Sequence, residues 1–147
     1  MRLAVLEAKK AGQIGEVPVG AVLVSGNGEI LSVNHNKTIT LADPTAHAEV
    51  LALRSAALKI NNYRLLNTTL YATIEPCIMC MGAILHARVS KLVFGANDPK
   101  WGAAGSLCNY AEDDRLNHRV EVIKGIYAEE CRALMRNFFR ARRRNTF

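Results

Sequence analysis

The chain has 147 residues, of which 50% are hydrophobic, so it can bury the core of one domain and is not intrinsically disordered. Its 19 Lys and Arg residues outnumber its 13 Asp and Glu residues, and the formal charge of +6 favours acidic partners. No apolar run approaches the roughly eighteen residues of a membrane-spanning helix, which excludes an integral membrane protein.

No charged-then-apolar leader ending in small residues is present, so we expect the four cysteines to be reduced thiols. No repeat or linker divides the sequence, and we expect a single domain over residues 1–147. The expected location is the cytoplasm, without a membrane partner.

The first part of the chain predicts a helix, a hairpin and a second helix. Residues 3–11 have the pattern of a short helix. Two segments, 20–25 and 29–33, flank a Gly-Asn-Gly turn and predict paired antiparallel strands. After a polar loop, Asp43-Pro44 predicts a helix start, with aspartate as the cap and proline in the first turn. The expected buried face of this helix consists of Val50, Leu51, Leu53 and Leu58.

The remainder predicts alternating strands and helices. In chain order we expect a strand at 70–74, a helix that Pro76 opens and that ends near Ala87, a strand at 92–94, an irregular segment at 97–117, a strand at 120–123 and a helix from about Tyr127. Loops as long as the irregular segment are usually functional. This alternation predicts an α/β domain of three layers.

Four residues have the pattern of a catalytic metal site. Zinc in such a site takes three nitrogen or sulfur ligands and leaves its fourth position to water. His47, Cys77 and Cys80 supply three such donors. Glu49 adds a carboxylate that can move a proton.

A Cys-X-X-Cys pair alone could equally be a redox pair, half of a structural zinc site or two buried thiols. A structural site would need a fourth ligand, but Cys108 and Cys131 stand singly in the sequence. A redox pair would leave His47 and Glu49 without a role. The four residues together therefore favour catalytic zinc.

The spacing of these residues places them at helix ends. Two positions apart on a regular helix, His47 and Glu49 can reach one metal only at the helix start. Cys77 and Cys80 share a face in the first turn after Pro76, where the positive end of the helix dipole favours thiolate. We therefore expect two helix N-termini to meet at the zinc.

These parts predict hydrolytic deamination. Zinc lowers the pKa of bound water from about 16 towards 7 and so supplies hydroxide. The hydroxide adds to a carbon that carries an amine. Glu49 then protonates first a ring nitrogen and afterwards the leaving amine, and ammonia departs.

The C-terminal segment is rich in arginine. These residues are Arg132, Arg136, Arg140, Arg142, Arg143 and Arg144. By itself such a segment is typical of either a solvated tail or a nucleic-acid contact. Next to a deaminase site, the second interpretation is favoured.

His47-Ala48-Glu49 and Pro76-Cys77-Ile78-Met79-Cys80 resemble the signature of the zinc-dependent cytidine and nucleotide deaminase superfamily. Further segments resemble, nearly end to end, its bacterial tRNA-specific adenosine deaminase family. These segments are 16–21, 43–49, 94–96, 102–106, 117–120 and 138–140.

The resemblance implies conversion of adenosine to inosine at the wobble position of a tRNA anticodon stem-loop, by a homodimer with one zinc ion per subunit. It implies a three-layer α/β/α cytidine-deaminase-like fold with a mixed five-stranded sheet flanked by helices. It also implies zinc binding by His47, Cys77 and Cys80 and proton transfer by Glu49.

For the substrate, the resemblance implies a hydrogen bond from Asn36 to the flipped base, an N–H of Ala48 facing the attacked carbon, and pocket walls at Val17 and Ile74. It further implies contacts of Asp98 and Lys100 with neighbouring nucleotides, and contacts of Phe139, Arg142 and Arg143 with the anticodon loop.

Two other functions compete with this one. A deaminase of a free base or nucleotide, of the guanine, cytidine or dCMP type, shares the signature but does not need several arginines along one helix. An inactive zinc module that binds RNA would not need Glu49. One departure from the family is Trp101, where a small residue is common; it either packs or adds a stacking surface.

Overall fold

The computed structural model describes residues 1–146, which form four helices and five strands. In chain order these are α1 (Arg2–Gln13), β1 (Gly20–Val24), β2 (Ile30–His35), α2 (Ala48–Ile60), β3 (Thr69–Ile74), α3 (Ile78–His86), β4 (Lys91–Ala96), β5 (Glu121–Lys124) and α4 (Ala128–Arg144). None of the helices in residues 1–146 is both long and apolar enough to cross a membrane.

The strands form one mixed sheet in the order β2-β1-β3-β4-β5. β1 is antiparallel to both β2 and β3, whereas β3, β4 and β5 are mutually parallel. Parallel neighbours need a crossover connection, and α3 supplies the one between β3 and β4. α1 and α4 pack together on one face of the sheet, and α2 and α3 pack together on the other. The predicted three-layer fold with a mixed five-stranded sheet is confirmed.

The larger core lies between the sheet and α2 and α3, where Leu23, Met81 and Phe94 are fully buried. On the opposite face α1 lies directly against β1. A methyl group on Gly20 would be 2.7 Å from the backbone nitrogen of Ala8, so only glycine allows this approach. The close packing of α1 holds the first strand, and with it the loop that enters the candidate site.

The predicted start of the second helix is wrong. Asp43 Oδ1 accepts hydrogen bonds from the N–H and the hydroxyl of Thr45, at 2.8 and 2.7 Å. This local turn competes with helix formation, so Asp43-Pro44 ends a loop instead. α2 begins at Ala48, and His47 is its N-cap residue.

The helix that Pro76 was expected to open also begins later, at Ile78 with Cys77 as its N-cap residue. The cause is a contact with the irregular segment. Ala103 N–H donates to the carbonyl oxygen of Pro76 at 2.9 Å, and Cys77 forms an isolated bridge with Gly102. The backbone therefore stays extended until Cys77.

The expected buried face of α2 is correct at Val50 and Leu53 but wrong at Leu58, which is 83% exposed. Leu51 is half-buried. The fully buried Ala56 takes the core position in the last turns, because the helical period carries Leu58 round to the solvent side.

Candidate active site

Three side chains of the types that bind metals converge beyond the end of the central strand β3. One donor atom each from His47, Cys77 and Cys80 lies within 4.8 Å of the other two. His47 Nδ1 is 3.6 Å from Cys77 Sγ and 3.5 Å from Cys80 Sγ. One imidazole nitrogen and two sulfurs therefore face a common point.

The local backbone explains this convergence. His47 caps α2 and Cys77 caps α3, and both have extended backbone angles, with φ and ψ of −72° and 151° for His47 and −75° and 176° for Cys77. Cys80 follows in the first turn of α3. The meeting of two helix N-termini expected from the spacing is confirmed, and both positive dipole ends favour negative charge here.

The thiols are coupled. The neighbouring Cys80 thiol, aided by His47, lowers the pKa of Cys77 to about 4, against the opposing effect of burial. The same contact, together with burial, raises the pKa of Cys80. A second anionic sulfur is thus opposed by the first unless a cation compensates for it. Two sulfurs and an imidazole are a donor set that suits zinc, so the residues present fit this ion.

Glu49, in the first turn of α2, is only 4% exposed. Cys80 Sγ donates to its Oε2 at 3.0 Å, which places the carboxyl group directly beside the metal donors. Burial raises the pKa of Glu49, and the hydrogen bond from Cys80 offsets this only in part. A carboxyl group in this position is suited to accept and return a proton.

A cavity of about 470 Å³ opens above these groups. Five residues expected to bind the substrate contribute to its lining: Val17, Asn36, Ala48, Ile74 and Asp98. Asn36 is 5% exposed, so it is not a simple surface turn residue. The structure therefore brings the first group of predicted substrate residues together with the metal donors and Glu49.

A second cavity of about 600 Å³ adjoins the first and shares Ile74, Asp98, Trp101 and Met135 with it. The remaining predicted substrate residues line this second cavity: Lys100, Phe139, Arg142 and Arg143. Arg132 adds a further cation. Lys100 does not line the first cavity, so the predicted substrate residues divide between the first cavity, which Glu49 lines, and the second, basic cavity, called the outer cavity below.

Two buried carboxylates near the site were not predicted as site residues. The first is Glu16, which is 1% exposed. It accepts hydrogen bonds from Asn36 Nδ2 at 3.3 Å, from Ile39 N–H at 3.3 Å, and from the N–H and hydroxyl of Thr40 at 2.6 and 2.9 Å. Glu16 thus holds the segment that carries Asn36.

The second is Glu75, which is 3% exposed. Its carboxylate accepts from Asp98 N–H at 3.2 Å, from the N–H groups of Ala104 and Ser106, both at 3.1 Å, and from the Ser106 hydroxyl. The buried Glu75 carboxylate therefore holds the backbone of the segment 97–106 in place. The signal in the sequence was an acidic residue directly after a buried strand, where an unpaired charge would be costly.

The chain is similar in sequence to known deaminases. Residues 1–143 match the family model described as MafB19-like deaminase. The tRNA-specific adenosine deaminase of Haemophilus influenzae is 53% identical over 143 residues, which cover 97% of this chain and 83% of that protein.

Two solved structures resemble the fold. One, from biochemical and structural studies of A-to-I editing by tRNA:A34 deaminases at the wobble position of transfer RNA, has a TM-score of 0.88 and 40% identity, covering 91% of this chain and 96% of that one. A guanine deaminase from Nitrosomonas europaea has a TM-score of 0.75 and 20% identity, covering 92% and 80%. This second likeness extends to the fold alone.

Proposed function

We propose how the residues of this chain, which belongs to the MafB19-like deaminase family and to the tRNA-specific adenosine deaminases, carry out their reaction. The reaction is the conversion of adenosine to inosine at the wobble position of a tRNA anticodon. The observation that carries the proposal is the convergence of His47, Cys77 and Cys80, with Glu49 hydrogen-bonded to Cys80, at a cavity that adjoins a basic one. We infer that residues 1–147 act as a single domain.

We propose that His47, Cys77 and Cys80 hold one zinc ion per chain. The proposal is supported by the convergence of their donor atoms and by the thiolate character of Cys77. Bound there, zinc would activate a water molecule for attack on the purine carbon that carries the amine. The two helix N-termini stabilise the negative charge of the ligand sulfurs.

Glu49 is the proposed proton shuttle. It accepts a proton as the water oxygen bonds to C6 of adenine, and it delivers this proton to N1. A second proton, from the new hydroxyl group, passes through Glu49 to the amine, which leaves as ammonia. One water is consumed and inosine remains. The burial of Glu49 supports this role, because a raised pKa allows the carboxyl to hold a proton between the two transfers.

We propose that the first cavity takes the flipped adenine. Val17 and Ile74 would lie against its faces, and the Asn36 amide would hydrogen-bond to its edge. Ala48 is the first residue of α2, and N–H groups in a first helical turn have no acceptor within the helix. Its N–H is therefore free to face the attacked carbon and the oxygen that develops there.

The outer cavity would hold the rest of the anticodon loop. We propose that Asp98 and Lys100 contact nucleotides next to the adenosine, and that Phe139, Arg142 and Arg143 contact the loop from α4. Phe139 is 40% exposed, which suits a base-stacking surface better than a core position. Arginines that line the same cavity suit phosphate groups.

We further propose a homodimer that acts in the cytoplasm, as the family resemblance implies. Sedimentation equilibrium of the purified protein tests the dimer, which requires twice the chain mass of 16.2 kDa. A monomer at micromolar concentration would contradict it.

The activity is tested by incubating zinc-loaded protein separately with a tRNA that carries a wobble adenosine, with the same tRNA carrying guanosine at that position, and with free adenosine, cytidine and guanine. We expect inosine in the first tRNA alone. Turnover of free cytidine or guanine would instead support a small-molecule deaminase.

A further inference from the structure

Trp101 is the only tryptophan in the chain, and its side chain is 62% exposed. It lines both cavities and so stands at the boundary between the first cavity and the outer cavity. Leaving a large aromatic ring in water is costly unless a partner covers it, and exposed tryptophans are enriched at binding surfaces. A ligand that extends from one cavity into the other would cover this ring.

The backbone under this ring is held in place. Asp98 Oδ1 accepts hydrogen bonds from the N–H of Lys100 at 3.0 Å and of Trp101 at 3.2 Å. Gly102 N–H donates to the carbonyl oxygen of Asp98 at 2.8 Å, and Asp98 N–H donates to the buried Glu75. A ring on such a turn loses little conformational entropy when it binds, because only its two side-chain torsions remain to be fixed.

The surroundings of Trp101 indicate the chemical class of the ligand. The outer cavity offers a flat aromatic face at Trp101 and the cations Lys100, Arg132, Arg142 and Arg143. Single-stranded nucleic acids are bound by this combination, with bases stacked on aromatic rings and phosphates held by basic groups. Tyr63 is similarly exposed, at 66%, but lines neither cavity.

We propose that Trp101 is a base-stacking platform for the nucleotide adjacent to the adenosine that enters the first cavity. This inference rests on the proposed function and adds a subsite to it. Every base has an aromatic face, so the platform accepts any base at that neighbouring position. Its role is to hold the strand at the point where one base leaves the stack.

The single tryptophan makes the proposal directly measurable. A synthetic anticodon stem-loop with a wobble adenosine is titrated into the zinc-loaded protein while tryptophan fluorescence is recorded, and binding is followed in parallel by anisotropy of a label on the RNA. Two further stem-loops lack the base on the 5′ or the 3′ side of the adenosine. We expect quenching by the intact loop and loss of quenching with one of the two abasic loops. Bound RNA without quenching, or quenching that both abasic loops retain, would overturn the proposal.

Variants supply the second measurement. Trp101→Ala should weaken stem-loop binding about tenfold, which is typical for removal of a stacking ring, and Trp101→Phe should restore most of the affinity. Tyr63→Ala is the matched control and should bind normally. Equal affinities of Trp101→Ala and the parent protein would contradict the stacking role. A changed oligomeric mass of Trp101→Ala would do so as well, because the ring would then belong to a subunit contact.

The same measurements separate a failure of the stacking proposal from a failure of the proposed function. If the stem-loop neither binds nor gains inosine, the proposed function is wrong. If inosine forms and the anisotropy reports binding while the tryptophan fluorescence stays constant, the enzyme function stands and only the stacking subsite is wrong.

Discussion

Asn36 Nδ2 donates a hydrogen bond to Glu16 Oε2 at 3.3 Å, which joins a proposed base-binding amide to a carboxylate buried beneath it. An amide whose nitrogen is engaged in this way has a defined orientation, and its oxygen is left for another partner. Because Glu16 also accepts from the backbone of residues 39 and 40, it orients Asn36 together with the loop that follows.

Glu16→Gln should therefore destabilise the fold and impair catalysis. The amide nitrogen of the new side chain would face N–H donors instead of accepting from them, and unsatisfied buried groups of this kind cost about 1–3 kcal/mol each. We expect a loss of about 2 kcal/mol in the free energy of unfolding, measured by urea denaturation at pH 7, and a lower kcat/KM. Glu29→Gln, at an exposed carboxylate, is the control and should change neither.

The parent protein and Glu16→Gln should also differ in how their stability depends on pH. Burial raises the pKa of Glu16, but the hydrogen bonds from Thr40 and Ile39 more than offset this, so the net pKa lies below its ordinary value of 4.5. A lowered pKa in the folded state means that ionised Glu16 stabilises the fold above pH 4.5 and that this contribution disappears as the pH falls through the folded pKa. The stability of the parent protein should fall more steeply below pH 4.5 than that of Glu16→Gln. Parallel curves would show that folding does not lower the pKa of Glu16.

Glu49→Ala should abolish turnover without releasing the metal. The carboxylate is not needed as a zinc ligand when His47, Cys77 and Cys80 supply three donors. Loss of a general acid–base group typically lowers kcat by about 10²–10⁴-fold. Zinc content from atomic emission and kcat from single-turnover inosine formation measure the two effects. Near-normal kcat in a zinc-replete variant would refute the shuttle assignment.

Removal of the metal should weaken the whole fold, because the donors link the starts of α2 and α3. A ligand that binds only the native state stabilises it in proportion to the logarithm of its concentration. Cys77→Ser should therefore lose zinc and melt at a lower temperature, and a chelator should lower the Tm of the parent protein to a similar value. Cys108→Ser, at a half-buried thiol outside the donor group, is the control. Zinc retention by Cys77→Ser would contradict the ligand assignment.

Arg142→Ala should reduce the salt dependence of tRNA binding. Arg142 lies 5.2 Å above the Phe138 ring and lines the outer cavity, so its charge is held where a phosphate would lie. Loss of one phosphate contact lowers the slope of log K against log salt by about one unit. Arg64→Ala removes an exposed arginine that lines neither cavity and should leave the slope unchanged. If the slope of log K against log salt were the same for Arg142→Ala and Arg64→Ala, Arg142 would not contact a phosphate group.

The sequence predicted the convergence of His47, Cys77 and Cys80 because the geometry that brings them together is local. His47 and Cys77 lie at helix starts, and a helix start fixes the directions of the side chains around it. The strands were likewise found within a residue or two, since buried runs and turn residues define them. The start of α2 was misplaced because a turn at Asp43 and a helix cap have the same local signal.

The roles of Glu16 and Glu75 could not be derived in the same way. Their hydrogen-bond donors lie twenty or more residues away along the chain, in segments without regular structure. No periodic pattern reports such a contact. A buried carboxylate is recognised only when the fold shows which N–H groups surround it.

Because Glu75 holds the backbone of the segment 97–106, the course of this segment does not depend on which side chains it exposes. The turn is set by a carboxylate in the protein interior and by Asp98, which accepts from the backbone N–H groups of Lys100 and Trp101, while the side chains of these two residues are exposed. Substitution of these two side chains should therefore cost little in folding. Under the proposed function, such substitutions change the surface offered to the RNA while the course of the loop stays the same.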